Sequence, residues 1–451
     1  VLLVSPQPGA AQSNAELLEI IRQQQRQIEE LSRKVDALEN QVQQATEGAE
    51  AAATTAEQAE EGTPDVAVEW GPGPTFSSRD GSWSVHVLGR LMVDGGLLDD
   101  DDGLYDGDNA TEIRAARLGI EGEFLEGFEF KLETDFADSD VDLKDAFIEY
   151  GGELVEPAYL RVGQFKTPNS LEQLTSRRFI TFMERPAIID AFELDYQLGL
   201  GGGVSGESWG VDAGLFGQNA SQQGNDEGYA LAARGHYAFL YGPEDDRDAV
   251  HVGASVRYRN LDNDTFDNQV RYRQRPFFHF TGTRSVDTGV LDDAEGDVWA
   301  GAELAWVNGP FSVQGEIANT ALQRNNGEDD ANNLWGAYLG ASYFLTGEQR
   351  TYDAERGVFG RVEVDRPLHD GGPGAWELAA RADYIDLNGD GVNGGEQISY
   401  IGGVNWYLND YVRFMLDGAV THVFDAADSA AAVDGSSNLI YGAGMRAQVD
   451  W

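Results

Sequence analysis

From Gly81 onward, apolar and polar residues alternate in short segments separated by Gly, Asn and Asp. Phe128, Phe130, Leu132, Thr134 and Phe136 interleave with Glu129, Lys131, Glu133 and Asp135. Val250, Val252, Ala254, Val256 and Tyr258 interleave with His251, Arg257 and Arg259, and Trp376, Leu378, Ala380, Ala382 and Tyr384 with Glu377, Arg381 and Asp383. A period of two marks strands with one greasy and one wet face. About sixteen strands are predicted, starting near residues 82, 111, 127, 142, 157, 194, 208, 228, 249, 297, 310, 332, 374, 396, 410 and 438. Short connections such as Leu125-Glu126-Gly127 and Asn409-Asp410 alternate with long ones at 97–110, 167–195, 219–227, 260–296, 321–331, 386–395 and 425–437. An even number of strands, with short turns on one side and long loops on the other, describes an outer-membrane barrel. One join, residues 346–374, is long on the short side. A β-sandwich also alternates, but sixteen strands exceed an ordinary one.

Residues 160–195 interrupt this pattern. A strand ends at Thr167-Pro168-Asn169-Ser170, because proline cannot donate to a ladder and serine favours a helix start. One or two helical turns fit within residues 171–184 before Arg185-Pro186 ends them. Nearly thirty residues thus separate two strands, with Arg177, Arg178 and Arg185 beside Glu172 and Glu184. So long a loop inside a regular β pattern is usually functional. Residues 167–195 are expected to fold into the barrel and narrow its bore.

The first 80 residues have a different texture. Residues 1–13 read as the remnant of an export signal or the start of the mature chain. Residues 14–46 follow a heptad, with Ile21, Ile28, Val35 and Val42 on one seam and Leu17, Gln24, Leu31 and Leu38 on the other. This predicts an α-helical coiled coil roughly 50 Å long. β-Branched residues on one seam and leucine on the other favour a dimer. Residues 47–80 read as a linker, rich in Ala, Glu, Thr, Gly and Pro up to residue 75.

Charge and composition narrow the function. The 451 residues hold 31 basic and 78 acidic groups, a formal charge of −47, and no cysteine. Nucleic acid is excluded as a partner by that charge. No apolar run reaches 18 residues, which rules out a transmembrane helix but not a transmembrane barrel.

Several stretches resemble the phosphate- and polyphosphate-selective outer-membrane porins (the porin O/P family). They are RLGIEGEF from Arg117, FEFKLETDFADSDVDLKDAFIEY from Phe128, and the segment 161–185. Further on they include GAWELAARADYIDL from Gly374, GGEQISYIGGVNWYL from Gly394 and NDYVRF from Asn409. The resemblance implies a 16-stranded barrel, usually a homotrimer, whose third extracellular loop enters the pore. It also implies a path of arginines for anions, with a lysine near the constriction, for which Lys166 is the candidate. Strand alternation turns Arg117, Arg161, Arg234, Arg257, Arg259, Arg381, Arg413 and Arg446 inward with Lys131, while Arg177, Arg178 and Arg185 sit in the loop. A guanidinium binds oxyanions through a planar, permanently charged fork. Carboxylates such as Glu121, Glu133, Asp135, Asp383 and Asp417 share the inner face, so a mixed-charge lining with little preference is the competing expectation.

No set of residues suggests an enzyme. The six histidines lack metal-ligand spacing. Asp386, Asn388, Asp390 and Glu396 begin like a calcium loop, but position twelve is Gln397. No cofactor is expected. The chain reads as an outer-membrane porin of a Gram-negative bacterium, surrounded by lipid and passing small ions and hydrophilic solutes. Phosphate-type anions are the named candidates. The alternative is a structural envelope protein whose periplasmic helix 14–46 attaches to the cell wall or another surface layer, around a non-selective or cation-preferring pore.

Overall fold

In the computed structural model, the described residues are 66–101, 108–137, 141–221, 228–242, 248–261, 268–325, 331–424 and 437–451. The proposed coiled coil 14–46 and residues 47–65 of the linker lie outside them; the rest of the expected linker, 66–80, is largely extended, with strands Val66–Gly71 and Gly73–Ser78. Sixteen strands form the barrel: β1 (Trp83–Asp100), β2 (Asp108–Phe124), β3 (Phe128–Asp135), β4 (Asp142–Tyr150), β5 (Ala158–Lys166), β6 (Tyr196–Gly206), β7 (Trp209–Phe216) and β8 (Ala230–Tyr241). They continue as β9 (Asp248–Asn260), β10 (Ala294–Asn308), β11 (Phe311–Arg324), β12 (Ala331–Phe344), β13 (Ala375–Gly389), β14 (Val392–Asn409), β15 (Val412–Phe424) and β16 (Asn438–Asp450). Each start falls within four residues of its predicted position. All neighbours are antiparallel, and β16 returns to β1 from Ile440↔Asp100 to Asp450↔Arg90, closing the cylinder. Closure leaves no unpaired edge, as a lipid environment requires. A lead strand, Gly73–Ser78, pairs with the start of β1 through Thr75↔His86.

The outer face is apolar. Leu118, Leu160, Leu200, Phe239, Leu304, Ile317, Leu339, Leu416 and Met445 are all exposed. Aromatic side chains gather at the short-turn rim. Phe124 stacks on Phe128 with ring centres 5.5 Å apart, Trp306 meets Phe311 at 5.6 Å, and Trp376 stacks on Trp406 at 5.2 Å. Such rings suit the membrane–water boundary, where one edge is apolar and the other wet.

The largest apolar cluster lies inside the cylinder. Phe182, Met183, Ile188, Ile189 and Phe192 of loop 167–195 pack with Leu261, Tyr272, Phe277, Phe278 and Val286 of the loop following β9. Wall residues Trp299, Leu322, Tyr338, Ile385, Ile401 and Met415 complete it. The same cluster explains two glycines, since a Cβ at Gly442 or Gly444 would lie 2.5 or 2.6 Å from the Phe278 ring.

Three local expectations change. The join 386–395 is a tight hairpin, because β13 runs to Gly389 and only Asp390-Gly391 separates it from β14. Asp-Gly suits so short a turn, and Gly391 has φ +71°. The candidate calcium residues are therefore spread over two paired strands and the turn between them. Asp386 lies opposite Glu396, Asp386 accepts from the Asn388 N–H, and Asn388 accepts from the Gly395 N–H. Among the described residues, no group of three or more His, Asp or Glu is arranged to hold a metal. Loop 97–110 is shorter than expected, since β1 extends to Asp100. Pro186 begins a helix rather than only ending one. It is the extended N-cap of α2 (Ala187–Phe192), its carbonyl accepting from the Ile189 and Asp190 N–H groups, while α1 is the single turn Leu171–Leu174 capped by Ser170.

Candidate functional site: the lumen constriction

Loop 167–195 is fastened to the inner wall along one side. Glu316 on β11 accepts from the Glu172 N–H (2.9 Å), Asp383 on β13 from the Ala187 N–H (3.0 Å), and Asp417 on β15 from the Met183 N–H (2.8 Å). Four wall side chains donate to loop carbonyls: Arg381 to Glu184 (3.0 Å), Asn405 to Thr181 (2.8 Å), Arg413 to Ile180 (2.9 Å) and Arg446 to Met183 (2.6 Å). Inward polar positions on alternating strands meet the loop's unpaired backbone groups, which would be costly to bury alone.

The open side faces β1–β5. There a cavity of about 580 Å³ is bounded by Arg90, Arg114, Arg117, Lys144, Lys166, Arg177 and Arg185. These seven cations face three carboxylates in the same lining, Asp135, Asp142 and Asp195. Arg117 binds Asp135 (2.8 Å) and Glu133 (2.6 Å). Arg114 forks onto Glu184 at 2.8 and 3.0 Å, and Arg177 reaches the same carboxylate at 2.8 Å. Arg446 joins them at 2.9 Å. Burial pulls the Glu184 carboxyl upward, but these guanidiniums outweigh it and hold the group well below the usual carboxylate range. Lys166 donates to the Gln173 carbonyl, and its ammonium stands 5.8 Å from the Tyr196 ring. Arg185 is committed to the carbonyls of Glu172, Gln173 and Thr175. Asp195 is drawn upward by burial yet kept low by Lys166 and Arg185. Glu193, bordering an adjoining cavity, is pushed up to about 7 by burial, with Arg257 pulling against the shift.

The sequence-predicted residues separate into groups. Lys166, Arg177, Arg185 and Arg117 meet around the cavity, while Glu172 is buried behind the loop, accepting from Gln314. Arg178 faces a second cavity at the short-turn mouth with Arg361 and Trp451. Lys131 pairs with Glu121, and Arg161 pairs with Glu149 while covering the Phe147 ring at 4.3 Å. Arg381 and Arg413 lie beneath the loop, and Arg257 and Arg259 lie beside Asp297. Arg234 is covered by the inserted join 345–374. It binds Glu303 and donates to the carbonyls of Arg356 and Gly357.

Arg90, Arg114 and Lys144 were not predicted to line the lumen; Arg90 lies opposite Arg117 on the regular inward face of β1. Between β1 and β2 the pairing steps from Met92↔Ala115 to Val93↔Ile113, so Arg114 is an extra residue. Between β3 and β4 it steps from Leu132↔Ala146 to Thr134↔Leu143, an irregularity beside Lys144. Each bulge reverses inward and outward parity, and strict alternation carries no sign of it. The long join 346–374 was visible as an anomaly, but its destination inside the barrel was not.

The family model for phosphate-selective porins O and P matches residues 85–451. The chain belongs to that family. Porin O of Pseudomonas aeruginosa is 28% identical over 389 residues, covering 77% of this chain and 85% of that protein. An uncharacterized protein of Caulobacter vibrioides is 35% identical over 362 residues, covering 78% of this chain and 70% of its own. Among solved structures, the outer membrane channel DcaP of Acinetobacter baumannii aligns with a TM-score of 0.52 at 12% identity, over 83% of this chain and 99% of that one. That likeness is one of fold. This porin is thus an outer-membrane channel and not an enzyme.

Proposed function

We propose that this porin passes oxyanions of the phosphate type through the cavity between loop 167–195 and strands β1–β5. The observation that carries this reading is the lining itself, seven cations against three carboxylates in a chain of charge −47. The segment 271–284 on the long-loop side adds Arg271, Arg273, Arg275 and Arg284 without one acidic residue. Most of the lining cations already have partners, so a passing anion exchanges with carboxylates rather than meeting bare charges. That keeps each stop weak enough to leave. Reversal potentials across planar bilayers at low salt test the preference, since fixed charges are least screened there. Anion preference is expected, with phosphate blocking chloride current and Lys166→Ala weakening that block by roughly tenfold. A cation-preferring channel would remove the proposal.

The heptad of residues 14–46 favours a further placement: a periplasmic coiled coil that attaches the barrel, read from its family as a homotrimer, to the cell wall or another envelope layer. Co-sedimentation with peptidoglycan tests the attachment. Equal recovery of the full chain without peptidoglycan would oppose it.

A further inference from the structure

The join 345–374 enters the lumen from the short-turn side and carries a small hairpin, Tyr352–Asp353 paired with Val358–Phe359. Its far end supports the constriction loop. The Phe359 N–H donates to Thr175 Oγ1 (3.2 Å), and the Phe359 ring packs with Leu171, Ala305 and Val307. Its near end rests on two histidines of the wall, His236 on β8 and His251 on β9, whose rings stack 5.8 Å apart. They are only 6% and 1% exposed.

The hydrogen bonds suit neutral rings. His251 lies 3.1 Å from Glu303 through Nε2 and 2.6 Å from the Tyr352 hydroxyl through Nδ1. The carboxylate can only accept, so Nε2 carries the hydrogen, and in the neutral ring Nδ1 accepts from the Tyr352 hydroxyl. His236 donates through Nε2 to the Ala354 carbonyl (2.9 Å), which leaves a bare, buried Nδ1 without a partner. Arg234 already balances Glu303 through a two-pronged contact, and it holds the hairpin carbonyls of Arg356 and Gly357. Asp212 on β7, Glu316 on β11, and Asp353, Glu355 and Arg356 of the hairpin complete the charged surroundings. Adding a proton to each histidine would put two charges beside Arg234 with one nearby carboxylate already engaged. It would also give His236 a buried N–H with no acceptor, and deprive Tyr352 of its acceptor. The hairpin fits the pair closely: a Cβ at Gly357, which has φ +61°, would lie 2.5 Å from the His236 ring.

We infer that His236 and His251 are positioning residues for the constriction, holding the hairpin beneath loop 167–195 only while both are neutral, so that acid releases it and widens the passage. The engaged state holds fewer protons than the released one, so falling pH favours release. The reading rests on the channel itself and not on its choice of anion.

Single-channel conductance of the full chain between pH 8 and pH 5 tests it, in a Glu193→Gln background so that the loop carboxylate does not titrate. Conductance is expected to rise about twofold or more across the range where histidine gains its proton. His236→Asn with His251→Asn should abolish the step. Replacing residues 352–359 by Gly-Gly should hold conductance at the acid level throughout. Heat-modifiable gel mobility shows that each barrel is folded. A flat profile in the histidine-bearing protein, or an undiminished step in the double variant, would overturn the inference.

Discussion

Arg413→Met tests how the constriction is held without touching the lumen's charge lining. Arg413 is 2% exposed. It donates to the loop carbonyls of Ile180 (2.9 Å) and Arg178 (3.2 Å), and to Tyr407 (3.2 Å) and Gln448 (2.9 Å) in the wall. Hydrogen bonds from a charged group are worth about 1.5–3 kcal/mol each, so the two to the loop amount to roughly 3–6 kcal/mol. Water entering the gap and packing by the methionine return part of this. A net loosening of about 2–4 kcal/mol raises the detached population of the segment by roughly 30- to 1000-fold. The strand ladders are unaffected, so barrel mobility on a gel should not change. Because the chain has no cysteine, Ile180→Cys gives a single thiol at a position with no exposure. Its reaction with a maleimide should accelerate by the same factor in the Arg413→Met background. A rate within about threefold of the parent would show that the remaining ties, Glu316, Arg381, Asp383, Asn405, Asp417 and Arg446, hold the loop unaided, and the reasoning would be refuted.

Other outcomes follow from the same geometry. Glu193, raised to about 7, is neutral below that pH and charged above it; anion-to-cation permeability should therefore fall as pH rises from 6 to 8, and Glu193→Gln should remove the fall in reversal-potential measurements. Glu184→Gln frees Arg114, Arg177 and Arg446 from their shared carboxylate. Phosphate should then block chloride current at about tenfold lower concentration while its own current drops, because a tighter stop slows exit; unchanged block would contradict this. Leu339→Arg places a charge on the lipid face at a side chain 59% exposed. It should cost about 2–4 kcal/mol in refolding titrations into lipid vesicles if the position lies near the bilayer midplane.

Strand number, order and facing were legible because lipid outside and water inside impose a strict period of two on residues such as Phe128–Phe136 and Trp376–Tyr384. What filled the interior was not. Alternation turns Arg381, Arg413 and Arg446 inward, but it cannot show that loop carbonyls are waiting for them, since those contacts join residues more than 190 positions apart. Arg234 is similar: its partners Arg356 and Gly357 lie on a join whose length alone gave no destination. The hairpin at Asp390-Gly391 was mistaken for an open loop because its acidic and amide residues resemble metal ligands as readily as turn formers. Lys166, Arg177 and Arg185 meet at one cavity because they share one short segment.

The extra residue at Arg114 and the irregular step beside Lys144 bear on how such a channel changes over generations. Exchanging one side chain alters a single charge and leaves the bulge in place, whereas losing Arg114 removes the charge and the bulge together. Met92↔Ala115 would then be followed directly by Val93↔Ile113, with Ile113 still on the lipid face and plain alternation restored. Relatives of this porin that differ by one residue in those strands would carry a different electrical interior while keeping almost the same composition. An alignment gap there says more about what crosses the membrane than many substitutions elsewhere.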